Sequence, residues 1–137
     1  MNGKIQHLNP NGMMKSPAFS QVVTTSGPGK TIYIGGQNAV DASGKLVGKG
    51  NLREQTVKVM KNIETALTAS GATFDNVVKL NIFLVQGQDA VSSFQAAQPF
   101  LAKASHPPAI TGFFVAALGN PEYLVEIDAT AFVPGEQ

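Results

Sequence analysis

Glu126 is the residue whose type and position best suit it to chemistry. It stands between Val125 and Ile127 in the stretch "NPEYLVEIDATAF", whose composition predicts a β-strand. Because successive side chains of a strand point to opposite faces, Glu126 shares a face with Leu124 and Asp128. That acidic face can be exposed to water, or an oligomer can desolvate it and make the carboxylate a proton donor or base. The residues alone leave both interpretations open.

Other catalytic chemistries find less support in the sequence. His7 and His106 are far apart, and no Cys or second His stands near either, so no metal-ligand spacing occurs and both are expected to be structural or exposed. No serine lies in a "GxSxG" turn, and the glycines of "GPG" and "GG" lack the strand and helix that flank a dinucleotide or phosphate loop. The chain has no Cys, which excludes disulfides and thiolate nucleophiles. We therefore predict neither a metal nor a cofactor.

Composition restricts the class of protein. A chain of 137 residues, 43% hydrophobic and 14% charged, predicts a single domain over residues 1–137. The formal net charge is +1 and the basic residues are scattered, so nucleic-acid binding is not expected. The longest apolar run, "AITGFFVAALG", is shorter than the roughly 20 residues of a membrane span, and the N-terminus lacks the apolar segment of a signal peptide. We expect a soluble cytoplasmic protein without a membrane partner.

Two helices are predicted from apolar periodicity. The first occupies "NLREQTVKVMKNIETALTASG", where Asn51 can cap the helix, Glu54 can reach back as in a capping box, and Gly71 can end it. The second occupies "DAVSSFQAAQPFLAKA" and is capped by Asp89. Pro99 is expected to kink or end this second helix.

The strands predict an α+β architecture. "AFSQVVTT" and "TIYIGG" are expected to form a hairpin, followed by the exposed loop "DASGKLVGKGN". "NVVKLNIFLV" has apolar residues at both parities, which is typical of a central strand covered on both faces. "AITGFFVAAL" and "EYLVEIDATAFV" are expected to pair antiparallel. Two helices can cover only one face of this sheet, and an uncovered apolar face usually marks a subunit interface.

Three segments together resemble the RidA/YjgF family, once called the L-PSP endoribonuclease family, over nearly the whole chain. They are "SPAFSQVV" with "TIYIGGQ", then "QTVKVMKNIETALTASGATFDNVVKLNIFL", and last "PPAITGFFVAALGNPEYLVEIDATAF". Gln55, Asn62, Leu67 and Gly71 stand at places that match the family pattern. The resemblance implies a chorismate-mutase-like α+β fold, a mixed sheet with two helices on one face. It also implies a homotrimer with a small-molecule cleft at each subunit interface.

The same resemblance implies an activity. In the best-known branch the cleft hydrolyses imines and enamines without metal or cofactor, an arginine binds the substrate carboxylate, and a glutamate positions or activates water. Glu126 takes the place of that glutamate, and backbone N–H groups near Thr111 and Gly112 can polarise the substrate. The substrate-binding positions that the resemblance implies are Phe19, Gly35, Gly36, Phe94, Ile110, Thr111 and Gly112.

The chain departs from the family at four of its polar cleft positions. Ile110 replaces the arginine and cannot form a bidentate pair with a carboxylate. Phe19 replaces a tyrosine, Gly35 replaces a serine, and Phe94 stands about where an asparagine lies. A hydrophobic cleft is therefore expected.

Three functions are compatible with these residues. The first is a hydrolase or deaminase for a less anionic, more apolar substrate than a 2-imino acid. The second is a non-catalytic trimer that binds a small metabolite or a protein partner. The third, endoribonuclease activity, requires basic or acid–base residues around a phosphate, which the sequence hardly offers.

Overall fold

The computed structural model describes all 137 residues. Six strands and two α-helices follow one another along the chain: β1 Lys4–Leu8, β2 Val22–Ser26, β3 Gly29–Gln37, α1 Leu52–Ala69, β4 Val77–Val85, α2 Ala90–Leu101, β5 Ala109–Val115 and β6 Val125–Pro134. Strands β3, β6, β4 and β5 form a four-stranded sheet in that order, and β1 pairs with β2 in a separate two-stranded sheet. The fold is an α+β, chorismate-mutase-like fold with two helices packed on a mixed sheet.

The predicted hairpin of β2 and β3 is wrong. Strand β2 pairs with β1, which the sequence analysis missed, and β3 pairs with β6. Gly27 adopts φ +75°, and the Gly27–Pro28 corner turns the chain from one sheet into the other instead of folding it back. Ile32 and Ile34 of β3 are buried, because in the larger sheet their side chains can join the hydrophobic core.

The predicted antiparallel pairing of β5 with β6 is also wrong. Strand β5 runs parallel to β4, with Ile110 opposite Leu80, and β6 lies between β3 and β4. The physical reason is that α2 connects β4 to β5, and a helical crossover returns the chain parallel to the strand it left. β5 is consequently an edge strand, while β4 is an interior strand, as predicted.

Both predicted helices are present. The Oδ1 atom of Asn51 accepts a hydrogen bond from the N–H of Glu54 at 3.0 Å, and Gly71 follows α1 with φ +76°. The side chain of Asp89 caps α2. Helix α2 nevertheless continues past Pro99 to Leu101, so the proline does not end it. Gln95, whose carbonyl lies four residues before the proline and loses its usual N–H partner, is an exposed residue.

The hydrophobic core lies between the helices and one face of the sheet. Helix α1 contributes Val59, Met60, Ile63 and Leu67, all buried, and the sheet contributes Leu80, Val125, Ile127 and Ala129. Neither α1 nor α2 combines the length and the hydropathy of a membrane-spanning helix.

The other face of the sheet, which we call the open face, has no helix over it. Tyr33 is 82% exposed and Phe113 is 42% exposed there. On this side β4 presents three half-buried residues, Lys79, Asn81 and Phe83. In the protomer β4 is therefore fully covered on one face only, whereas its sequence predicted cover on both faces. The prediction of an uncovered sheet face is thus confirmed in the protomer.

Candidate functional site

A β-bulge in β3 shapes the site of Glu126. Ile34 lies opposite Ala129 and Gln37 lies opposite Ile127, so two glycines on β3 face a single residue of β6. Such a bulge re-aims the strand locally and is common beside active sites. The residues that form it are Gly35 and Gly36, which the resemblance assigned to the cleft.

Gly36 lies directly against the Glu126 carboxylate. A Cβ added at position 36 would clash with Oε2 of Glu126 and would lie 2.8 Å from its Cδ, so a larger residue would displace the carboxylate from its present position. Gly35 differs, because a Cβ there would meet nothing within 4 Å. The second glycine of the pair therefore affects where the carboxylate lies, and the first does not.

Asn38 holds one oxygen of the carboxylate. Its Nδ2 donates to Oε1 of Glu126 at 3.2 Å, whereas Oε2 accepts no hydrogen bond within the chain. The backbone of Asn38 is fixed in turn, because Nδ2 of Asn62 on α1 donates to its carbonyl at 3.1 Å. One carboxylate oxygen is thus positioned by the protein, and the other remains available to water or a ligand.

The surroundings of Glu126 on the open face combine aromatic and polar groups. Glu126 lies opposite Phe83, whose ring stacks on Phe113 with centroids 4.9 Å apart and planes inclined by 11°. Farther along the strands, Asn81 donates to Asp128 at 2.9 Å, and the Lys79 ammonium donates to the Thr111 hydroxyl at 2.6 Å. This face offers both aromatic surface and satisfied polar pairs.

A second feature lies on the helix side of the sheet. An apolar pocket of about 180 Å³ opens between α2 and strands β4 and β5. It is lined by Ile82, Leu84, Ala90, Ser93, Phe94, Ala97, Ile110, Gly112 and Ile127. None of these side chains carries a charge, and Ser93 bears the only hydroxyl group.

The residues assigned to one cleft therefore fall into two groups within a protomer. Phe94, Ile110 and Gly112 come together in the apolar pocket. Glu126 and Gly36 meet at the bulge, while Thr111 lies on the open face with Lys79. Phe19 is half-buried and lines neither place; its neighbour Ser20 donates its backbone N–H to the carbonyl of Pro108 at 2.9 Å.

Comparison with known proteins decides the family. Residues 13–133 match the Endoribonuclease L-PSP family. The chain belongs to the RidA/YjgF family. A 2-iminobutanoate/2-iminopropanoate deaminase from Bos taurus is 36% identical over 122 residues, covering 85% of this chain and 84% of the relative. A human protein of the same name is 32% identical over 113 residues, covering 82% and 78%.

Solved structures agree with the RidA/YjgF assignment. A Rid family protein from Yersinia pestis is 37% identical with a TM-score of 0.83, and the match covers 93% of this chain and 97% of that chain. A putative endoribonuclease from Thermotoga maritima is 27% identical with a TM-score of 0.69, covering 93% and 92%.

The two histidines are neighbours in this RidA/YjgF protein, although their sequence separation predicted no relation. The rings of His7 and His106 stack with centroids 5.0 Å apart. Burial and then the nearby positive charge of His106 lower the pKa of His7, and the Asp75 carboxylate opposes this shift. Nε2 of His7 is buried without a hydrogen-bond partner. The structure contains no group of three or more potential ligands that can hold a metal ion.

Asn38 is the site residue that sequence reasoning missed. It follows the "GGQ" segment directly, but asparagine after a strand is typical of an ordinary turn. Its contact with Glu126 joins residues 88 positions apart. No local pattern in the sequence contains that information.

Proposed function

We propose that this RidA/YjgF protein is a cofactor-independent hydrolase or deaminase that acts on a neutral or weakly anionic imine or enamine. In such a reaction water adds to the C=N carbon and the C–N bond then breaks, giving a carbonyl compound and ammonia or an amine. Glu126 would take a proton from the attacking water and return a proton to the leaving nitrogen. The deaminase names of the relatives support the reaction class.

The observation that carries this proposal is the close packing of Glu126 against Gly36. A Cβ at position 36 would displace the carboxylate, so the glycine lets its oxygens lie where they do. Here the backbone approaches the carboxylate closely, Asn38 orients one oxygen, and Oε2 is left without a partner. This arrangement suits a group that must hold and move a proton at a defined place.

We further propose that the working site is formed between subunits of a homotrimer. Within one protomer the sheet separates Glu126 from the pocket that contains Phe94 and Ile110, so the two cannot act on one molecule. A second copy placed against the open face would bring the carboxylate of one chain towards the pocket of another. The exposed Tyr33 and Phe113 would be covered in the same contact.

A homotrimer predicts a specific mass in solution. Light scattering after size exclusion should give about three times the protomer mass of 14.3 kDa. A monomer at micromolar concentration would contradict both the trimer and the composite site.

The proposed substrate class predicts poor turnover of 2-imino acids. A carboxylate entering the pocket would lose its hydration and meet Ile110 without a compensating charge. Each charge-assisted hydrogen bond contributes about 1.5–3 kcal/mol, so kcat/KM for 2-iminobutanoate should be roughly 100-fold or more below that of an arginine-bearing relative. Ammonia release measures this rate. A neutral imine of similar size, assayed alongside it, should be hydrolysed above the buffer rate.

The Ile110→Arg variant and the comparison of neutral imines with 2-imino acids serve as controls for the ammonia-release assay. Ile110→Arg should improve binding of a 2-oxo acid, as measured by calorimetry, although Phe19 and Gly35 still leave that site incomplete. Turnover of 2-iminobutanoate equal to that of an arginine-bearing relative would contradict the proposed substrate class. Failure on neutral imines as well as 2-imino acids would favour the alternative, a trimer that binds a small apolar metabolite without catalysis.

A further inference from the structure

We infer that the apolar pocket between α2 and the sheet binds a neutral, apolar group, the size of one aromatic ring or a branched alkyl chain. This inference rests on the proposed function in taking the pocket as the part of the site that selects the substrate. It goes further in assigning the size and polarity of the group that enters the pocket.

The volume of the pocket determines the size of the group that it can bind. It measures about 180 Å³. A cavity of about 150 Å³ lined by aliphatic and aromatic side chains is known to stay dry and to bind benzene. The present pocket is lined mainly by side chains of that kind, so one ring, or a branched alkyl group of similar bulk, fills it.

The residues that line the pocket determine the charge of the group that it can bind. No acidic, basic or histidine side chain lines the pocket, so an ionic group would lose its hydration there without gaining a counter-charge. Ile110 stands where the family has its arginine, and its side chain is part of the apolar wall. The group inside the pocket is therefore neutral.

Ser93 contributes the only hydroxyl to the lining, and that hydroxyl is already paired. Its Oγ atom lies 2.8 Å from the hydroxyl oxygen of Thr56, which is fully buried on α1, and either oxygen can be the donor. Ser93 itself is 3% exposed, so its hydroxyl faces α1 and the surface of the pocket is apolar.

The pocket therefore favours an apolar group, and a hydroxyl on that group would lose its hydration without gaining a partner inside. Toluene, phenol and benzoate differ in polarity and charge at nearly constant shape.

Binding to the full-length protein tests the inference, by calorimetry or ligand-observed NMR. Toluene should bind saturably, phenol should bind more weakly, and benzoate should not bind. No saturable binding of toluene, or benzoate binding as tightly as toluene, would overturn the inference.

A variant that fills the pocket tests the same inference. A Cβ at Gly112 meets nothing within 4 Å, so Gly112→Leu can fill the pocket without a backbone clash, and it should abolish binding of phenol and toluene alike. Gly119 also has free space at its Cβ but lies outside the pocket, which makes Gly119→Leu the matched control that retains binding.

The outcomes separate this inference from the proposed function. Saturable toluene binding in a protein that hydrolyses no imine would contradict the proposed function and support the pocket assignment. Hydrolysis of a neutral aryl imine by Gly112→Leu at the wild-type kcat/KM would overturn the pocket assignment and leave the proposed function standing.

Discussion

Glu126→Gln should remove hydrolytic activity on neutral imines while leaving the fold, the trimer and ligand binding intact. Glutamine keeps the shape of the side chain, and its amide oxygen can still accept the hydrogen bond from Asn38. It cannot accept a proton from water at neutral pH. General acid–base catalysis contributes about 10²–10⁴-fold, so kcat should fall by roughly that factor with little change in KM.

Asp128→Asn is the matched control for this experiment. Asp128 also lies on β6 and faces the same way, but its carboxylate accepts a hydrogen bond from Asn81 at 2.9 Å. Its replacement should leave kcat within a few-fold of wild type. A Glu126→Gln protein that hydrolyses imines at the wild-type rate would remove the carboxylate from the mechanism and favour the binding-protein alternative.

The helices and the orientation of Glu126 were predictable because they depend on local periodicity. The spacing of Val59, Ile63 and Leu67 fixes which face of α1 is buried, and Asn51 marks where that helix begins. Alternation along β6 likewise places Val125 under the helices and turns its neighbour Glu126 to the open face.

Strand pairing was not predictable in the same way, because partners far apart in sequence determine it. The segments "VVTTS" and "GKTIYIGGQ" meet at a Gly–Pro turn signal typical of a hairpin, yet each finds its partner elsewhere, in β1 and β6. Strand β5 joins β4 in parallel because α2 lies between them.

The candidate site shows the same limit. The glycine pair at positions 35 and 36 was visible in the sequence, but only pairing across the sheet shows that Gly36 makes room for Glu126. His7 and His106 are 99 residues apart by number and were treated as unrelated, yet their rings stack. The sequence shows which residue types are present, but the pairing of strands far apart in sequence determines which of them come into contact.

Gln55 has a structural role that is unusual for a polar residue. It lies on α1 and is fully buried, although glutamine usually lies at the surface. Its Nε2 donates to the carbonyls of Gly48 at 3.1 Å and Glu122 at 3.0 Å, and its Oε1 accepts the N–H of Leu124 at 2.9 Å. One side chain thus ties the loop before α1 to the turn that leads into β6, two residues before Glu126.

Gln55→Leu should therefore destabilise the protein strongly despite conserving volume. Leucine would leave the N–H of Leu124 and the carbonyl of Glu122 without their partner, and each unsatisfied buried group costs about 1–3 kcal/mol, giving roughly 2–6 kcal/mol in the free energy of unfolding. Denaturant titration at a fixed protein concentration measures the loss, since assembly shifts apparent stability. Gln98→Leu, at an exposed position of α2 whose side chain makes no hydrogen bond, should change stability by less than about 0.5 kcal/mol. Equal stabilities of the two variants would show that Gln55 does not hold the entry to β6, and the positioning of Glu126 would then have to depend on Asn38 and the bulge alone.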